Sequence, residues 1–167
     1  LHCFTGNDYT SAFHSMGKAK GFRLLKESEL YQETFSKLGD SFTFDASLFS
    51  VIERFVSEMY SIRSCLTTDD ARYVNLCSSK TAIPEPQRLP PTSDALLCHC
   101  KRVSYVTAII KRSLQLKPAI LSSDGHGRKI QNGNLETDWM LRKPASDFIL
   151  EMVVCACQKN KCDTNVC

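Results

Sequence analysis

Ala46-Ser47-Leu48-Phe49-Ser50-Val51-Ile52-Glu53-Arg54-Phe55-Val56-Ser57-Glu58-Met59-Tyr60 is the stretch that decides the architecture. Its apolar residues Leu48, Phe49, Val51, Ile52, Phe55, Val56, Met59 and Tyr60 recur at spacings of three and four. A helix over 46–64 gathers them onto one broad stripe. Asp45 or Ser47 can cap its start. A stripe that wide is most simply the core face of a packed helix. Working outward, 28–37 reads as a helix stopped by Gly39, and 69–77 as a shorter one. Thr92 or Ser93 caps a long helix running to about 116. Leu96, Val103, Val106, Ile109, Ile110 and Leu114 suit one buried face of it, and Pro118 ends it. Asn132-Gly133, between two short segments, is a hairpin signal. In 144–154, Phe148, Ile149, Met152 and Val153 fall at helical spacing and lead into a run of cysteines. The fold class read from these patterns is mainly α, with one small β-hairpin and a Cys-rich tail.

The chain divides into a helical region over 1–77 and a linker over 78–91. A long helix plus hairpin over 92–154 and a Cys-rich tail over 155–167 follow. Pro84, Pro86, Pro90 and Pro91 favour an extended path through the linker. Gly125-His126-Gly127 reads as a flexible joint. Trp139 reads as the anchor that seats the hairpin on the core. Lys101-Arg102 and Lys111-Arg112 on the long helix read as a solvated basic face.

Length and composition narrow the function classes. At 167 residues the chain is long enough for one domain with a real core, and 43% apolar content is ordinary for a globular protein. The formal charge is only +3, from 21 basic against 18 acidic residues, so any nucleic-acid footprint must be local. No apolar run approaches the roughly 18 residues needed to span a membrane, so no membrane partner is expected. Nine cysteines, odd in number and unevenly placed, do not make a fully paired secreted framework. They point to reduced thiols in an intracellular setting, the nucleus included.

Three constellations could carry chemistry. Asp8, in the acidic turn Gly6-Asn7-Asp8-Tyr9, can cap a helix or hold Mg²⁺; one carboxylate alone cannot run two-metal phosphodiester chemistry. The first 25 residues read as this turn, a short helix, a glycine turn and a second helix opened by lysines. Gly17 there lets backbone N–H groups approach a phosphate while Lys18 and Lys20 add charge; the plain alternative is a connecting turn with two solvated lysines. In the tail, Cys155, Cys157, Cys162 and Cys167 are four soft ligands that suit tetrahedral Zn²⁺, against the alternative of free surface thiols. Cys98-His99-Cys100 looks like a ligand set but lies within a helix, where residues one and two apart do not face each other.

Three resemblances bear on these residues. Gly6-Asn7-Asp8-Tyr9, Met16-Gly17-Lys18-Ala19 and Leu24-Leu25 resemble the flap-endonuclease family, a PIN-like nuclease fold, at its acidic turn and helix–two-turn–helix. That resemblance implies that Asp8 is a metal ligand, and that Gly17, Lys18 and Lys20 contact the nucleic-acid backbone. Ser15-Met16-Gly17 stands where the family has two glycines around an apolar residue. Most of the chain is also similar to a group of uncharacterised, transposon-derived invertebrate proteins with a PIN-like front end and a Cys-rich tail. The residues that carry this are 2–18, 89–94, 105–111, 125–127, 133–139 and the terminal cysteines. Asn7 replaces that group's usual cysteine, and Arg128 its usual aromatic residue. The Cys-x-Cys start of the tail resembles the cysteine-rich DNA-binding repeats of the tesmin type. Together these imply the helical C-terminal part of a PIN-like nuclease fold, beginning at Leu1 inside a longer parent. Such a part is nucleic-acid associated and catalytically incomplete alone, with Zn²⁺ in the tail and Mg²⁺ only in the intact parent. The other reading, from the residues themselves, is a non-enzymatic helical module that binds a protein partner and carries a zinc-binding tail.

Overall fold

A computed structural model describes residues 1–78 and 85–143. The tail cysteines, the helix expected over 144–154 and the middle of the linker lie outside the described residues. Among the described residues the chain runs α1 (Lys18–Lys26), α2 (Glu29–Lys37), α3 (Phe49–Met59), α4 (Thr68–Ser78) and α5 (Ser93–Arg112). The antiparallel strands β1 (Arg128–Gln131) and β2 (Asn134–Thr137) follow. The protein is therefore mainly helical with one small two-stranded sheet.

α3 forms where the apolar stripe demands it. Asp45 accepts from the Ser47 N–H (2.9 Å) and starts a 3₁₀ turn, Ala46–Leu48, that feeds the helix. Ile52, Phe55, Val56 and Met59 have no exposed surface. The helix stops at Met59, earlier than the expected 64. Ser61 turns to φ +64°, so its N–H reaches the Glu58 carbonyl and that of Ile62 the Ser57 carbonyl, both at 2.9 Å. This paired closure satisfies the orphan carbonyls of the last turn. Ser28 caps α2, and Thr92 caps α5 by accepting from the Ala95 N–H.

The core is built around aromatic rings. Phe55 meets Phe35 (4.7 Å between centroids) and Tyr31 (5.1 Å) edge-on, while Phe4 meets Phe35 at 5.0 Å and Phe13 at 5.3 Å. Edge-to-face pairing of this kind adds to the area buried. The apolar cluster extends from Cys3 to Ala108, joining the N-terminal turn, α2, α3 and α5.

Several expectations differ from the structure. The short helix expected between Asp8 and Gly17 does not form. Asn7 Oδ1 accepts from the N–H groups of Tyr9 and Thr10 (both 2.9 Å), and the Thr10 hydroxyl donates to the Cys3 carbonyl (2.6 Å). Side-chain bonds to local backbone compete directly with helix formation. α5 ends at Arg112 rather than near 116, because nothing covers Leu114, which is almost fully exposed. Gly127 is packed rather than a free joint: at φ +71°, a Cβ there would lie 2.4 Å from the Cys98 carbonyl oxygen of α5. Gly39 meets the other end of α5 in the same way, 2.7 Å from the Ala108 nitrogen.

Candidate functional site

Arg72, Arg102, Arg112 and Arg128 act on backbone carbonyls. Arg102, expected on a solvated face, is buried and donates to the carbonyls of Gly127 (3.2 Å) and Asp138 (2.6 Å). Arg112 donates to Gly39 and Asp40 and lies over the Phe42 ring. Arg72 donates to Pro90 (2.7 Å), and Arg128 reaches from the hairpin to the Tyr9 carbonyl (2.7 Å). Lys111 donates to the Ser36 carbonyl and pairs with Asp40, both at 2.7 Å. Arg102, Lys111 and Arg112 therefore tie distant loops to α5. Arg's planar fork, always charged, suits such multiple carbonyl contacts.

The four residues singled out at the N-terminal end lie at the surface. Asp8 is exposed in the turn that Asn7 organises. Gly17 is the N-cap of α1 with no side-chain cap, no acidic residue in the first turn, and open space where a Cβ would sit. Lys18 Nζ lies 2.9 Å from His2 Nδ1, and Lys20 Nζ donates to Ser61 Oγ (3.3 Å). An uncapped first turn leaves backbone N–H groups and the positive end of the helix dipole facing water. Among the described residues, no three His, Cys, Asp or Glu side chains converge as a metal site would require. Asp8 alone does not fit a Mg²⁺ centre. Among the same residues, no helix is long and apolar enough to cross a membrane.

A second constellation was not singled out from sequence. Ala95, His99 and Arg102 lie at spacings of four and three on α5, and all three line a cavity of about 180 Å³ with Ser11, Phe13, Pro91 and Trp139. His99 is buried among Phe4 and Phe13. Its Nε2 lies 2.8 Å from the Phe4 carbonyl, and its Nδ1 3.2 Å from Ser11 Oγ. Burial, with a smaller push from the Arg102 charge, lowers its pKa to about 4 against the opposing pull of the Phe4 carbonyl. A serine beside a histidine suggests nucleophilic catalysis, but such a weak base is a poor proton acceptor at neutral pH. Cys98 and Cys100 beside it are buried, and burial pushes both thiols up, so they remain protonated.

Trp139 corrects the anchor expectation. It is 64% exposed, with the Arg102 guanidinium 5.4 Å from its ring centroid. Its position follows from its neighbours. Asp138 gives its carbonyl to Arg102, while the N–H groups of Leu141 and Arg142 donate to Asp94 in the first turn of α5 (2.6 and 2.8 Å). The signal for this site was the 95–99–102 helical spacing, which adjacent-residue motifs such as Cys98-His99-Cys100 conceal. No family model, no curated protein and no solved structure matches the chain.

Proposed function

We propose that the chain is the nucleic-acid-associated, catalytically incomplete C-terminal part of a PIN-like, transposon-derived nuclease-related protein. The observation that carries this reading is the N-terminus of α1. Gly17 stands there in open space, Lys18 and Lys20 share the first turn, and no acidic residue opposes them. That arrangement suits a backbone phosphate, which gains both N–H donors and positive charge. In the intact parent, Asp8 would join carboxylates supplied by the rest of that parent to hold Mg²⁺. The four tail cysteines would hold Zn²⁺ and add affinity, in an intracellular and nuclear setting.

The test is duplex DNA binding measured by fluorescence anisotropy as a function of salt. Two phosphate contacts give a slope of log affinity against log salt near −2. Lys18→Ala with Lys20→Ala should flatten that slope and weaken binding about tenfold at low salt. Unchanged affinity would show that α1 does not touch the backbone.

A second reading has an observation of its own. Leu1, Ala19, Phe22 and Leu25 surround an open, largely apolar hollow on α1, and Phe22 is exposed. This suits the helical protein-interaction module, whose binding would barely respond to salt.

A further inference from the structure

The cavity beside α5 has a built polarity that the phosphate cradle does not use. The Phe4 carbonyl can only accept, so His99 Nε2, 2.8 Å away, carries the imidazole proton. Nδ1 is then the bare acceptor, and the Ser11 hydroxyl at 3.2 Å donates to it. Ser11 Oγ is thereby left with its lone pairs, and among the described residues no donor is directed at them. The cavity thus offers one oriented acceptor, with the Arg102 guanidinium on one side and apolar walls from Phe13, Pro91 and Leu96.

Its mouth carries Trp139. The Arg102 guanidinium backs the ring, and with 64% of the residue exposed the remaining ring surface is open. Arg102 cannot follow a ligand outward, because two carbonyls hold it. A cavity of about 180 Å³ is on the scale of those that admit a benzene-sized molecule, about 150 Å³. It has room for one flat ring.

From this juxtaposition we infer that the Ser11–His99–Trp139 cavity is a binding site for a single unpaired nucleobase bearing an amino group. The base stacks at Trp139 and donates its amine hydrogen to Ser11 Oγ. Base–aromatic stacking tolerates any base, and the fixed acceptor adds the preference for an amine. The inference rests on the nucleic-acid reading above and names what part of the strand the protein recognises: an unpaired base as well as the backbone.

Trp139 is the only tryptophan in the chain, so its fluorescence reports the site directly. Titration with a short oligo-dA should quench it, a strand of the same length carrying unsubstituted purine in place of adenine, which lacks the amine, should bind more weakly, and an abasic strand should leave it unchanged. Trp139→Ala, at an exposed position, should weaken oligo-dA binding about tenfold while duplex binding through Lys18 and Lys20 is kept. Ser11→Ala should erase the adenine-over-purine preference with the quenching retained. Oligo-dA binding by anisotropy without quenching, or equal quenching by the abasic strand, overturns the base site and leaves the backbone reading standing. Failure to bind either the duplex or any single strand overturns both.

Discussion

His99 shows how one buried side chain ties stability to pH. Its folded pKa of about 4 lies below the ordinary value of 6.5, so the unfolded chain binds the extra proton between those limits. Stability from keeping the ring neutral is complete above about pH 7 and is lost as pH falls from 6.5 toward 4. At pH 5 the loss should reach about 2 kcal/mol. Urea midpoints at pH 7 and pH 5 measure it, and His99→Gln should remove most of the difference. An equal pH dependence in that variant would assign the effect elsewhere. The residue escaped the sequence reading because Cys98-His99-Cys100 drew attention as a motif. What places His99 is a long-range contact with Phe4, ninety-five positions away, which no local pattern encodes.

Between elements, Glu53 plays the corresponding part. It lies buried on α3, and its Oε1 accepts from the Thr68 N–H (3.2 Å), the Thr68 hydroxyl (3.3 Å) and the Ser93 hydroxyl. Thr68 begins α4 and Ser93 begins α5, so one carboxylate gathers the positive ends of two helices. Glu53→Ala should cost about 2–4 kcal/mol in chemical denaturation, since buried donors are left unmatched. Glu53→Gln keeps an acceptor oxygen and should cost less. If both substitutions cost the same, the carboxylate is not what joins the helices. Elements with their own periodicity were legible in advance: α3 by its stripe, α5 by its Thr92 cap, the hairpin by Asn132-Gly133. The helix expected before Gly17 was not, because Asn7 satisfies the local N–H groups first. Arg102 and Arg112 were misread for a related reason. Whether a cation faces water or a carbonyl depends on which loop crosses it, and the loops that reach Arg102 and Arg112 come from distant parts of the chain.

At the scale of the whole molecule, the structure has a core and an attached piece. The aromatic cluster unites α2, α3 and α5, whereas the exposed hairpin is held mainly by Arg102 and Arg128 through main-chain oxygens. Regions with few buried apolar contacts open at lower free energy than the core. Arg102→Leu should therefore speed amide hydrogen exchange in 128–138 at least tenfold, with Ile52, Phe55 and Val56 of α3 keeping their protection. Uniform acceleration across both regions would mean the molecule opens as one unit. Arg72, Arg102, Arg112 and Arg128 all donate to backbone oxygens.

A guanidinium that grips main-chain oxygen is indifferent to the side chain carried at the gripped position. Gly39 and Gly127 are constrained by their close approach to α5, but Tyr9 and Asp138 offer the same oxygen under almost any substitution. Inheritance should then run asymmetrically across these contacts. The arginines would be kept over long descent while the loops they grip drift freely, so that turn surfaces could acquire new specificities without loosening the scaffold beneath them.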